Sequence, residues 1–242
     1  LDDGTMLGKL DSFLVKLDSD LNILWKTPFH FELHHEITVD DNGNIYVFGS
    51  HTHEFLENNV LFDYCRSKNI KCFRGSEEDV LSRFIEIQKN EHFDVVVRCT
   101  GDNPILDIAI LDKTIQFHLN NKNEYTKTES LPLGMNFEMM SSSAMLDLQN
   151  QNLSDSDKEH VTLFIRNNDF YRKGVYCPSV NNDVRELRLT VDYPSDLILV
   201  SSLLSMVNKN NDSEFGLALV ERAFKECPWI FDVNSGNIQK VL

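Results

Sequence analysis

Residues 94–99, DVVVRC, constrain this chain more than any other stretch. Three consecutive valines leave no polar face, so the run is predicted as a strand buried on both sides, of the kind found in parallel sheets covered by helices. Thr100-Gly101-Asp102-Asn103-Pro104 follows it, and a helical pattern runs over 107–119. The alternation extends in both directions. The pattern predicts a helix over 56–68, a short strand over 70–73, and a helix over 76–90 that buries Val80, Leu81, Phe84, Ile85 and Ile87. Ser76 is its expected cap, with Asp79 as the capping-box acid. Further on, strands are expected over 136–141 and 187–191, and helices over 143–149, 158–167, 194–207 and 214–225. Strands alternating with helices imply an α/β fold with an open, mostly parallel sheet and flanking helices.

The first 54 residues have a different texture. Runs at 13–18, 21–25, 36–39 and 45–49 are β-type, and Asn42-Gly43 between two of them is a strong hairpin signal, because both positions need φ > 0. This segment holds three Lys, no Arg and ten acidic residues, and five of the eight His of the chain. The expected organisation is therefore a β-meander appendage over 1–54, a fusion or remnant, joined to an α/β domain over 55–242. The 242 residues suffice for one large domain plus a small addition.

A formal charge of −15 repels nucleic acid and anionic membranes, so neither is an expected partner. No apolar run approaches the ~20 residues of a membrane-spanning helix. The five cysteines are scattered and never spaced as C-x-x-C, a pattern that fits reduced thiols and a cytoplasmic location.

Neither G-x-G-x-x-G nor G-x-x-x-x-G-K-[ST] occurs, which sets aside two common nucleotide folds. Two other places carry chemistry. Asp102 stands just after a buried strand, where open α/β sheets bind ligands. Thr190-Val191-Asp192-Tyr193-Pro194 repeats the design: a strand ends in an acid and Pro starts a helix. Each acid taken alone reads rather as a helix cap. Together they form a pair that can converge on Mg²⁺, a hard cation suited to carboxylates and substrate phosphates.

The segments KCFRGSEEDVLSRF (71–84), VVRCTGDNPILD (96–107), Glu159-His160-Val161-Thr162 and LTVDYPSDL (189–197) occur in this order. In combination they resemble the cytidylyltransferases of the spore-coat polysaccharide type, within the wider group that makes CMP-activated acidic sugars. The resemblance covers residues 55–242. It implies a Mg²⁺-dependent enzyme that transfers CMP from CTP to an acidic sugar, and homodimers are frequent in that group. It implies metal ligation by Asp102 and Asp192, nucleotide contacts from Arg74, Ser76 and Arg98, and sugar contacts from Gly134, Glu138, Glu159 and His160. Arg74 could equally be a solvated cation, and His160 a hydrogen-bonded helix residue.

The family begins with a strand and a basic loop of the type R-x-x-S-x-R-L-P-G-K, which cradles the triphosphate. Nothing here matches it; Gly8-Lys9 is a faint echo with no apolar strand before it. The expected activity is accordingly weak or absent. The rival classes are a glycosyltransferase-like domain holding a sugar nucleotide at Asp102, and a non-catalytic remnant. Residues 21–49 resemble a single blade of an arylsulfotransferase-type β-propeller, and one blade cannot close a propeller. His34, His35, His51 and His53 form a candidate metal set, or an exposed polar fringe.

Overall fold

The computed structural model describes residues 12–17, 23–29, 36–39, 45–49, 62–63, 65–68, 70–76, 78–207 and 215–239. Strands β1 (Ser12–Leu17) and β2 (Ile23–Phe29) pair antiparallel as a separate two-stranded sheet. The main sheet has seven strands. They are β3 (Glu36–Val39), β4 (Ile45–Gly49), β5 (Cys72–Arg74), β6 (Val95–Thr100), β7 (Tyr125–Thr128), β8 (Glu138–Ser141) and β9 (Lys173–Tyr176), in the spatial order β5-β4-β3-β6-β8-β7-β9.

Four of its six ladders are antiparallel, yet only β3 and β8 run against the rest, each contributing two of those ladders. Five of the seven strands thus point one way, as the sequence implied. The predicted strands 36–39 and 45–49 are not confined to the N-terminal meander. They hydrogen-bond into the main sheet between β5 and β6, with Glu36 opposite Thr100 and Val47 opposite Cys72. A strand flanked by open sheet positions seeks partners, and this pair fills the gap. The Asn42-Gly43 turn, the four candidate histidines, and Gly8-Lys9 lie outside the described residues.

Helices cover both faces. Helix α1 (Val80–Glu91), α3 (Ser142–Asp147), α4 (Asp155–Glu159) and α5 (Leu163–Asn167) lie on one side. On the other are α2 (Ile108–Asn120), α6 (Asn182–Arg185), α7 (Pro194–Ser205) and α8 (Leu217–Glu226). Strand periodicity explains the division: Val96 and Met140 join the apolar cluster under α1, whereas Val97 and Met139 join the cluster under α2, α7 and α8. Among the described residues no helix is long and apolar enough to cross a membrane.

Local chemistry sets several ends. Asp107 caps α2 by accepting from Ile110 N at 2.9 Å, and its other oxygen accepts from Leu217 N at 2.9 Å, tying the start of α8 to that of α2. The cap of α1 is Asp79, which accepts from Ser82 N, while Ser76 accepts from Asp79 N one turn earlier. The helix expected over 158–167 is two short helices, because buried Val161 sits between them at φ +53°. The strand expected over 187–191 makes only an isolated parallel bridge, Leu133 to Arg188.

His118 of α2 is buried, and its Nδ1 is 2.9 Å from Thr126 Oγ1 on β7. Burial pushes its pKa below the usual 6.5. The unfolded chain therefore binds a proton that the folded one refuses as pH falls below 6.5, so stability is full above that pH and declines beneath it. The expected slope is up to ~1.4 kcal/mol per pH unit. Urea titrations at pH 7 and 5.5 check it: His118→Gln should lose less stability than wild type on acidification.

Candidate functional site

Asp102 lies two residues beyond the carboxyl end of β6. The segment 187–191 is brought beside it by the loop that precedes β8: Leu133 N donates to Leu187 O (3.0 Å) and Leu189 N to Leu133 O (2.7 Å). Gly134 makes that approach possible. It has φ +96°, and a Cβ there would lie 2.7 Å from Leu189 C and 2.9 Å from Thr190 Cα. Val191 N then donates to Asp102 O at 2.9 Å, and the Thr190 hydroxyl to Asp102 Oδ2 at 3.2 Å. The other oxygen, Asp102 Oδ1, is buried with no hydrogen-bond partner. Gly134, expected at the sugar, thus also seats 187–191. Gly134→Ala combines a disfavoured φ with backbone clashes, and is expected to cost about 2–4 kcal/mol in urea unfolding.

Asp192 sits next along this segment, partly exposed, and one of its oxygens is held by Arg188 Nη2. Arg188 also donates from Nε to Asp196 Oδ1 (3.0 Å) and from Nη2 to Asp196 Oδ2 (3.2 Å). Asp196 is wholly buried. It accepts further from the backbone N–H of Asp192 (3.0 Å) and of Tyr193 (2.9 Å), which fixes the turn that presents Asp192. Burial alone would raise the pKa of Asp196, but the bonds from Arg188, Asn234, the Asp192 amide and Asn237 overcome it and push it down to about 2.

A second cluster lies on the α1 side of the sheet. Arg98 and Glu138 are direct cross-strand partners on β6 and β8. Both oxygens of Glu138 are engaged: Oε2 by Arg98 Nη1 (3.2 Å) and the Thr162 hydroxyl (3.1 Å), Oε1 by Arg166 Nη1 (3.3 Å) and the Tyr125 hydroxyl. Burial opposes ionisation of Glu138, but the charges of Arg98 and Arg166 with the hydrogen bonds from Tyr125 and Thr162 hold its pKa below the ordinary value. Two guanidinium groups share one carboxylate here, leaving the cluster with a surplus of one positive charge in a chain of charge −15.

The remaining candidates are not drawn into either cluster. Arg74 ends β5, its guanidinium carbon 5.0 Å from the Phe62 ring centroid, and three ladder steps, ~14 Å, separate β5 from β6. Glu159 is exposed at the end of α4, and His160 is the residue that closes that helix. Thr162, the last residue of the same motif, is the one that reaches Glu138. Tyr125, Arg166, Thr190, Arg188 and Asp196 were not singled out by sequence reasoning. The spacing of Arg188, Asp192 and Asp196 at intervals of four was the one visible signal for the last pair. Among the described residues no group of three or more His, Cys, Asp or Glu is placed to hold a metal ion.

Residues 50–203 match the sequence model of a family described as Cytidylyltransferase. The chain belongs to the cytidylyltransferase family. It is 32% identical over 171 residues to the spore coat polysaccharide biosynthesis protein SpsF of Bacillus subtilis (strain 168), across 64% of this chain and 71% of that protein. It is 35% identical over 148 residues to an uncharacterized protein of Methanocaldococcus jannaschii, covering 61% of each. A solved cytidylyltransferase from Leptospira borgpetersenii serovar Hardjo-bovis (strain JB197) superposes with a TM-score of 0.68 at 24% identity, over 81% of this chain and 80% of that one. That likeness establishes the α/β fold with its helix-flanked sheet.

Proposed function

We propose that residues 55–242 form a sugar nucleotidyltransferase domain that transfers CMP from CTP to a hydroxyl of an acidic sugar for surface polysaccharide synthesis. Mg²⁺ would be held by Asp102 and Asp192, and the five scattered cysteines suit a reducing, cytoplasmic setting. The observation that carries this reading is Asp102 Oδ1, a buried carboxylate oxygen without a partner at the end of a central strand. A buried acceptor left unsatisfied costs about 1–3 kcal/mol, more when charged, and a cation removes that cost. The donor set suits Mg²⁺, which keeps several waters and takes one or two carboxylates plus substrate phosphates. Bound there, Mg²⁺ would supply charge neutralisation for the triphosphate.

In this reading the sugar hydroxyl oxygen forms a bond to the α-phosphorus while the bond from that phosphorus to the bridging oxygen breaks. Pyrophosphate leaves with the electron pair, and the hydroxyl proton passes to solvent. The residues contribute position and charge. Arg98 and Arg166 place their surplus positive charge beside the carboxyl end of β6, and Glu138 orients both. Arg74 and Ser76 approach the nucleotide from the β5 side. Glu159 and His160 border the sugar, as does the loop around Gly134. Residues 1–54 are an addition that supplies β3 and β4 but no basic loop.

Binding of Mn²⁺, followed by its electron paramagnetic resonance signal, tests the metal assignment. Asp102→Asn should weaken it at least about 10-fold. Equal affinity in the two proteins would remove Asp102 from the site.

A further inference from the structure

The turn that presents Asp192 is clasped from the far end of the chain. Asn234 donates from Nδ2 to Asp196 Oδ1 (2.8 Å) and to Arg188 O (3.0 Å). Asn237 Nδ2 donates to Asp196 Oδ1 (2.9 Å) and Ser195 Oγ (2.8 Å). Gln239 Oε1 accepts from Arg188 Nη1 at 2.5 Å, and the Ile238 carbonyl accepts from the Tyr193 hydroxyl at 3.2 Å. Asn234, Asn237, Ile238 and Gln239 lie beyond 50–203, the segment that the family's sequence model matches.

We propose that Asn234, Asn237 and Gln239 are positioning residues for Asp192. The inference rests on reading Asp192 as a metal ligand. The clasp works through two intermediaries. Asn234 and Asn237 fix the Asp196 carboxylate, and that carboxylate holds the amides of Asp192 and Tyr193. Gln239 fixes the Arg188 guanidinium, which holds the Asp192 carboxylate through Nη2. The backbone and the side chain of Asp192 are therefore set by different tail residues. Arg188 occupies one oxygen of Asp192 much as a cation would, holding the carboxylate in place until a metal replaces that contact. Because the guanidinium stays anchored on Asp196 and Gln239, the exchange at Asp192 need not unseat Arg188.

The direct readout is amide hydrogen exchange at Asp192 and Tyr193, measured without metal in the full chain. The variants are Asn237→Ala with Gln239→Ala, and Gln239→Ala alone, whose exposed side chain can be lost without threatening the fold. Gln239→Glu, which keeps an acceptor for Arg188, is the conservative control. The double variant should speed exchange at these two amides about 5- to 10-fold relative to Val200 in the middle of α7. Mn²⁺ affinity should fall by a similar factor, in the double variant and to a smaller extent in Gln239→Ala, while Gln239→Glu stays near wild type. Equal acceleration at Val200 and at the two amides means a purely structural tail and overturns the proposal. So does exchange that does not change. If wild type binds no Mn²⁺ while exchange responds as stated, the clasp stands and the metal reading of Asp192 falls.

Discussion

Pyrophosphate release from CTP, measured with Mg²⁺ and a panel of acidic sugars, is expected to stay well below ~1 s⁻¹ for the chain as it stands. A version in which a strand and basic loop of the family type replace the chain up to the end of β3 should exceed it by a factor of about 100 or more. The reason is electrostatic. Losing one preorganised donor at a developing charge commonly costs ~10²–10³ in rate, and a triphosphate loop carries several. In their place the first 54 residues bring no Arg and seven more acids than lysines. Turnover by the unaltered chain at ~1 s⁻¹ or faster would mean that this segment makes the phosphate contacts itself, and Lys9 would be the first residue to replace.

Asp196→Ala is expected to lower the unfolding free energy by about 3–5 kcal/mol, a large part of the ~5–15 kcal/mol that holds a domain folded. The substitution strips buried Arg188 of its principal partner and leaves the amides of Asp192 and Tyr193 without an acceptor. An acid titration gives an independent check. With a pKa pushed down to about 2, Asp196 contributes stability that is fully present above the ordinary carboxylate pKa near 4 and is lost as pH falls from there toward 2. That contribution is about 2 kcal/mol, and Asp196→Asn should lack it. A variant with an unchanged urea midpoint at pH 7 would show that Arg188 finds other partners.

Much of the architecture could be read from local pattern. The three valines of β6 and the apolar spacing of α1 each follow from what a few adjacent residues can do with their own backbone and one buried face. Strands β7 (YTKT) and β9 (KGVY) escaped because they are four residues long and lack the alternation of apolar and polar residues that marks a strand. They are strands because β8 and each other supply the ladder partners. The segment 187–191 has the composition of a strand, but its partner is the loop around Gly134, which offers one bridge rather than a ladder. The two acids were legible as strand-end residues. Their surroundings were not: Thr190 reaches Asp102 across 88 positions, and Asn237 reaches Asp196 across 41. The surroundings of Glu138 were hidden in the same way: its four side-chain partners lie 13 to 40 positions away.

The direction of β3 separates two things that a strand does. As a slat in the sheet it serves equally well either way round, since antiparallel pairing with β6 satisfies the same backbone groups that parallel pairing would. As a delivery arm it does not. A strand running with β6 would end at the rim where Asp102 stands; β3 runs against it, so its first residue, Glu36, lies abreast of Thr100 instead. Strand direction can therefore leave the pairing of a sheet intact while changing which residues gather at its rim.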